Sequence, residues 1–309
     1  MEQRLVSVVL VTWNSAEHLP RCLDGIARQT HDGIELIAVD NASSDTSVEL
    51  LGPHGARVIR NDANRGFSAA VNQAIAVARG EFVLFLNPDC FLEPGYVATL
   101  VSALDEAGAD FGSATGRLLK VDGSGIDSMG IRMTRSGRHL DIDDPAAGGE
   151  VFGVSGAAAL HRLTFLRDAA IGGEVLDEDF FAYREDADLA WRGRLFGWRA
   201  LCEPRAVAHH VRRVTPEVRK ELPAQINMHS VKNRFLLRLK NEGLYLAIRN
   251  APFELARDLV VIAAALTVER TSLPAFGWLW RNRARVFARR RAIQSRRRVS
   301  DRALARWFR

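Results

Sequence analysis

Along the first hundred residues the apolar positions switch repeatedly between two periods. Residues 5–11 (LVSVVLV), 34–39 (IELIAV) and 82–86 (FVLFL) are short apolar runs, the pattern of strands buried on both faces. Residues 57–60 predict a further short strand. Between these runs the spacing becomes helical. Residues 16–29 place Leu19, Cys22, Leu23, Ile26 and Ala27 on one side, and residues 67–79 align Ala70, Val71, Ala74, Ile75 and Ala78 before Gly80 stops the helix. Shorter helical patterns cover residues 46–51 and 94–107. Strands alternating with helices over short connections predict a parallel sheet covered on both faces by right-handed crossovers.

Such a sheet binds ligands beyond the carboxyl ends of its strands. The loops there are residues 12–15, 40–45, 61–66 and 87–89; all are polar and three carry aspartate. From about residue 110 to 155 the pattern loosens into Gly-rich pieces. Residues 151–160 (VFGVSGAAAL) predict another strand and 185–196 a helix ended by Gly197. Beyond Pro204 the chain is expected to be basic and helical, with residues 226–240 amphipathic. Residues 244–268 are interrupted by Arg249, Pro252, Glu254, Arg257 and Asp258. The uninterrupted apolar stretch is far short of the roughly 20 residues that cross a bilayer.

Composition narrows the classes. The chain has 309 residues, 47% hydrophobic and 26% charged, which excludes global disorder and a multi-pass membrane protein. Cys22, Cys90 and Cys202 share no metal-site spacing, so a disulfide scaffold or structural zinc is not expected. The first residues lack a basic region and a small-residue cleavage site, so no signal peptide is expected. The formal net charge of +5 hides a division. Residues 1–203 hold 18 Lys+Arg and 30 Asp+Glu, a net −12, whereas residues 204–309 hold 24 basic and 7 acidic residues, a net +17. The last 40 residues contain 13 arginines and one acid, Asp301.

The loops lack the GxxxxGK[ST] phosphate cradle and the GxGxxG dinucleotide turn. Asp40, after the second strand, can accept from a ribose hydroxyl or a base imide. The segment from Asp40 to Asp45 is also good turn chemistry, with Asp45 the better candidate for the helix cap. Asp89, after the fourth strand, is placed to meet a divalent metal on a diphosphate.

The segments VVLVTWNS, VDNASSD, NRGFSAAVNQA, LNPD and DEDFFAYREDADLAWR, in this order and spacing, resemble the family 2 glycosyltransferases. The resemblance covers residues 5 to about 212. It implies a GT-A fold, a Rossmann-like α/β sheet with flanking helices, with a nucleotide-sugar half over about residues 1–110 and an acceptor half over 111–212. A basic helical region over 213–309 follows. It implies Thr12, Asn14, Asp40, Arg65, Gly66, Asn87 and Asp89 as nucleotide-sugar contacts, with Trp13 either there or in the core. Mg²⁺ or Mn²⁺ would be held by Asp89 together with His210 or His209. Asn87 stands where the family commonly has a first aspartate. Among the six acids of 177–188, Asp186 matches the general base and Glu185 its neighbour. Trp191 either underlies an acceptor sugar or packs in the core. The narrower likeness of YREDADLAWR and HSVKNRFLLRLKNEG is to bacterial rhamnosyltransferases, which implies inversion with dTDP-L-rhamnose or a UDP-sugar. The acceptor implied is a glycan or polyprenyl-diphosphate-linked hydroxyl. A nucleotidyltransferase and an inactive nucleotide-sugar-binding module are the rival readings.

Tryptophans at 278 and 280 beside the arginines suggest an anchor on an anionic membrane surface, hence a cytoplasmic, peripheral protein. A protein partner or a solvated helix is the alternative. No recognised nucleic-acid module accompanies the arginines, so specific nucleic-acid binding is not expected.

Overall fold

The computed structural model describes residues 4–211 and 224–309. The expected boundary at residues 212 and 213 therefore lies outside the described residues. Strands β1 (Val6–Thr12), β2 (Ile34–Asp40), β3 (Arg57–Arg60) and β4 (Phe82–Leu86) alternate with helices α1 (Leu19–Ala27), α2 (Ser47–Leu51) and α3 (Phe67–Ile75). Then follow β5 (Cys90–Leu92), α4 (Tyr96–Ala107), β6 (Phe111–Lys120), β7 (Ile126–Ser128), β8 (Ile131–Met133), β9 (His139–Asp141), β10 (Gly149–Val151), β11 (Ala158–Arg162), α5 (Leu163–Ala169), α6 (Glu185–Leu195) and β12 (Arg199–His210). The chain ends in helices α7 (Ala224–Asn241), α8 (Leu244–Thr267), α9 (Pro274–Arg281), α10 (Arg283–Ser295) and α11 (Asp301–Leu304).

The main sheet runs β10-β12-β6-β11-β4-β1-β2-β3. β1 through β4 pair in parallel, as the alternation predicts, and β11 enters antiparallel between β4 and β6. The double-sided apolar runs explain the layers. Val6, Val8 and Leu10 of β1 pack toward α1 and α4, whereas Val9 and Val11 pack toward α3, α5 and α6. A third core joins Phe152 and Trp191 to Leu236, Leu246, Ile293 and Phe308, so the basic C-terminal helices share buried surface with α6.

Two expectations are corrected. The strand expected over 151–160 is two strands, β10 and β11, broken between them. Gly153 passes so close to α6 that an added Cβ would lie 2.3 Å from the Cβ of Ala190, and Gly156 turns its amide toward Asp186. The chain beyond Pro204 is first a strand. β12 pairs with β6 in parallel and absorbs Pro204 at a register shift between Cys202 and Val207. Proline and three charges had masked its alternation.

Candidate active site

The loops after β1, β2 and β3 are tied into one polar rim. Thr12 is wholly buried and its hydroxyl donates to Asp40 Oδ1 at 2.8 Å. Asp40 also accepts from the Ser43 amide at 2.9 Å and the Ser43 hydroxyl at 2.5 Å, and is 2% exposed. In this structure Asp40 therefore orders its loop, and Thr12 supports Asp40 rather than reaching a ligand itself. Asn14 is exposed at φ +50° and accepts from the Ser44 amide at 2.8 Å. Asn41, which the sequence did not single out, ties its own loop to the 61–66 loop: it donates to Gly66 O at 3.2 Å and accepts from Asn61 at 2.9 Å. Arg65 is exposed on the rim. Gly66 has φ +85°, and a Cβ there would meet the backbone oxygen of Phe181 at 2.6 Å. Only glycine fits that close approach.

β5 and β12 pair antiparallel with Cys90 opposite His210, which brings the end of β12 against the Asn87-Pro88-Asp89 turn. His210 Nε2 lies 3.5 Å from Asp89 Oδ1, and His210 Nδ1 lies 2.8 Å from Asp127 Oδ2. His209, alternating to the other side of the strand, instead faces Glu93 at 3.1 Å. Burial alone would lower the His210 pKa, but the two carboxylates outweigh it and push the imidazole up to about 9. The sequence did not single out Asp127, which sits in the loosely patterned stretch. Among the described residues no cluster of three or more His, Cys, Asp or Glu side chains could hold a metal. Once His210 gives up its Nε2 proton, one carboxylate oxygen and one imidazole nitrogen suit a divalent ion that takes its remaining ligands from a diphosphate and water. Asp89 and His210 fit that limited role.

Of the six acids of 177–188, Glu178 accepts from Asn72 at 3.1 Å and the other five separate into two groups. Asp177 and Asp188 turn inward to Lys240, and Asp179 pairs with Arg285 at 2.5 Å. Glu185 and Asp186, the first residues of α6, line a cleft of about 670 Å³ together with Asn87, Asp127 and His210. Burial, followed by repulsion from Asp186, raises the Glu185 pKa. Burial also raises that of Asp186, against the lowering effect of amides from Gly156 at 3.2 Å and Ala187 at 2.7 Å. Two adjacent carboxyls with raised affinities can take up a proton near neutrality.

Trp191 is corrected as an acceptor contact. Its ring is 0% exposed, 4.9 Å from Phe308 and 6.4 Å from Phe152, so it presents no face to a sugar. Trp13 goes the other way: it is 57% exposed beside Asn14 and is not part of the core.

Solved structures share this architecture. TarS 1-349 from S. aureus in complex with UDP-GlcNAc has a TM-score of 0.60 at 18% identity, covering 94% of this chain and 88% of that one. The mannosyltransferase PcManGT from Pyrobaculum calidifontis, in complex with GDP-Man and Mn²⁺, has a TM-score of 0.58 at 19% identity, covering 96% and 86%. The fold is the GT-A type, with a basic helical C-terminal region. The family model for glycosyl transferase family 2 matches residues 7–167, and the chain belongs to that family. Glycosyltransferase GlyG of Streptococcus pneumoniae is 32% identical over 111 residues, 34% of this chain and 37% of that protein. The PGL/p-HBAD biosynthesis glycosyltransferase Rv2957 of Mycobacterium tuberculosis is 37% identical over 94 residues, 29% and 37%. The match thus spans about a third of the length of these relatives.

Proposed function

We propose that this chain is an inverting glycosyltransferase that moves a sugar from a nucleoside-diphosphate donor to an acceptor hydroxyl. The observation that carries the reading is a cleft in which the buried Glu185 and the half-buried Asp186 meet Asn87 and His210, with Asp89 behind His210. Asp186 takes the acceptor proton as its oxygen attacks the anomeric carbon, and the nucleoside diphosphate leaves from the opposite face. Glu185 orients Asp186 or the acceptor. Arg65 on the rim can pair with phosphate or stack on the base. A Mg²⁺ or Mn²⁺ ion held by Asp89 and His210 would supply charge neutralisation at the departing diphosphate.

The donor we favour is dTDP-L-rhamnose, on the resemblance of residues 183–192 and 229–243 to rhamnosyltransferases, with UDP-sugars the alternative. Release of nucleoside diphosphate is to be measured with dTDP-L-rhamnose, UDP-GlcNAc and GDP-mannose in the presence of Mn²⁺. With water as the acceptor of the sugar, the fastest release is expected with dTDP-L-rhamnose; a faster UDP- or GDP-sugar removes the rhamnose reading. In the same reading Trp13 stacks on the base. Trp13→Ala is expected to weaken nucleoside diphosphate binding by about 1–3 kcal/mol, read by calorimetry. An unchanged Kd places the base elsewhere.

The acceptor we favour is a glycan or polyprenyl-diphosphate-linked hydroxyl, reached at the cytoplasmic side of an anionic membrane. Support comes from α8. Leu244, Ile248, Leu255, Leu259, Ile262 and Leu266 are all more than a third exposed. At roughly 100° per residue they fall on one stripe about 60° wide. Arg234 and Arg238 of α7 hold the flank of α8 next to this stripe through Asp258 and Glu254. Among the described residues no single helix is long and apolar enough to cross a membrane; residues 244–267 and 270–281 together are bent by 109°. Such a stripe beside the exposed Trp280 suits an interfacial helix. Flotation with anionic liposomes is expected to carry the protein and to lose the Leu255→Asn/Leu259→Asn/Leu266→Asn variant. Equal flotation of that folded variant removes the contribution of α8.

A further inference from the structure

The turn that leads into α6 is held in an uncommon shape. Phe181, Tyr183 and Arg184, none of them glycine, have φ of +66°, +71° and +72°. Backbone of this kind persists only where surrounding contacts over-determine it. Here those contacts come from the basic region. The Asn233 amide nitrogen donates to Phe180 O at 2.9 Å, to Ala182 O at 2.8 Å and to Tyr183 O at 2.8 Å. Lys232 Nζ donates to Asp179 O, and the His229 ring stacks on Phe181 with centroids 4.7 Å apart. His229, Lys232 and Asn233 stand at the i, i+3 and i+4 positions of α7, so one helix face grips the turn. From the other side the Ser68 amide donates to Phe181 O at 3.1 Å.

Asn233 is 0% exposed, and its orientation is set by its partners: three carbonyl oxygens can be met only by the NH₂ end. Arg184 is the cap residue of α6, and Glu185 and Asp186 follow it directly. The shape of the turn therefore decides where α6 begins and how the two carboxyls enter the cleft.

We infer that Asn233 is a positioning residue for the Glu185-Asp186 pair, and that α7 of the basic region is a working part of the active site. This rests on the proposed role of Asp186 as base. The near-isosteric Asn233→Leu removes the donors while keeping the volume; Asn233→Ser keeps one donor and serves as a milder second variant.

The full chain is to be used throughout. Asn233→Leu is expected to lower kcat at least tenfold with nucleoside diphosphate Kd within twofold of the parent, and Asn233→Ser to fall between. Backbone amides of residues 180–186 are expected to exchange with deuterium at least tenfold faster, the rest of the sheet unchanged. The acid limb of kcat/KM is expected to move toward lower pH as water reaches the pair. The groups facing that pair are Arg138, with His139 and Asp141 of β9, Tyr183 and Arg184 of the turn, Asp188 of α6 and, across the cleft, Asp127, His210 and Arg257. Parent-like exchange and kcat in a folded Leu or Ser variant overturn the inference, as does an equal loss of nucleotide binding and turnover. Asp186→Asn run in parallel separates the two readings. If it keeps turnover, the base assignment fails, whereas the exchange rates still report whether Asn233 holds the turn.

Discussion

Asp186→Asn is expected to lower turnover by about 10²–10⁴, the range a positioned general base contributes, while nucleoside diphosphate affinity stays unchanged. The substitution keeps the volume and one of two amide bonds: Gly156 donates to Oδ2 and Ala187 to Oδ1, so the new NH₂ end faces one of these donors. It removes the ability to accept a proton together with that one amide bond. Because burial raises the Asp186 pKa, the parent's acid limb of kcat/KM should lie above the ordinary aspartate value of about 3.9. The base works unprotonated, so activity is lost as pH falls through that raised value. In the Asn variant this limb should vanish. Stability should respond in the opposite sense. A carboxyl that holds its proton more tightly folded than unfolded loses stability as pH rises from the unfolded to the folded pKa. At neutral pH the Asn variant removes that burden but loses one amide bond, worth about 0.5–1.5 kcal/mol, so it should melt within a few degrees of the parent. Near-parental turnover would assign the base to another group, Glu185 first.

Lys240→Met is expected to destabilise the whole chain by about 3–5 kcal/mol, the effect of removing one partner from a buried ion network. Its melting temperature should fall on the order of 10 °C. Lys240 is 0% exposed and lies between Asp177 and Asp188, 3.2 Å from the latter. Asp188 is also held by Arg192 at 2.9 Å and Asn241 at 2.7 Å, and Asp177 by Arg289 at 3.3 Å. Those partners limit the damage but cannot replace a cation on both acids. Burial alone would raise the Asp177 pKa; Lys240, then Arg289, hold it below the ordinary range. The stability this contributes is full above the unfolded value and is lost only as pH falls through the depressed one. The Lys240→Met deficit should therefore be present at neutral pH, shrink in acid, and persist in high salt, which screens buried pairs weakly. A melting temperature within about 2 °C of the parent would show that Arg192 and Arg289 neutralise the acids alone.

These contacts revise the meaning of the divided charge. Arg285, Arg289, Arg296 and Arg298 pair with Asp179, Glu174 and Asp168 of the acidic segment. Part of the basic excess neutralises the acidic half from within, and only the remainder can serve a membrane. Deleting residues 270–309 would strip Ile293 and Phe308 from the core they share with Trp191, so it cannot isolate the membrane contribution. The point substitutions on α8 can.

The alternating periods of the first hundred residues determined by themselves four strands, their helices and the polar loops at the strand ends. That information is local, since a strand buried on both faces or a one-sided helix writes its burial directly into neighbouring residues. The motifs likewise marked Asp89, Glu185 and Asp186. Tertiary structure alone decided the rest. His210 meets Asp127 across 83 residues, and Asn233 meets the 180–183 carbonyls across 50 to 53. Trp191 and Trp13 have the same side chain, yet one is core and the other exposed. The acids of 177–188 look alike in sequence, and only their pairing with Lys240 or Arg285 separates Asp177, Asp179 and Asp188 from the pair in the cleft. Such pairings are settled by which buried charge or carbonyl finds a partner once the chain has closed, and no local period records that choice.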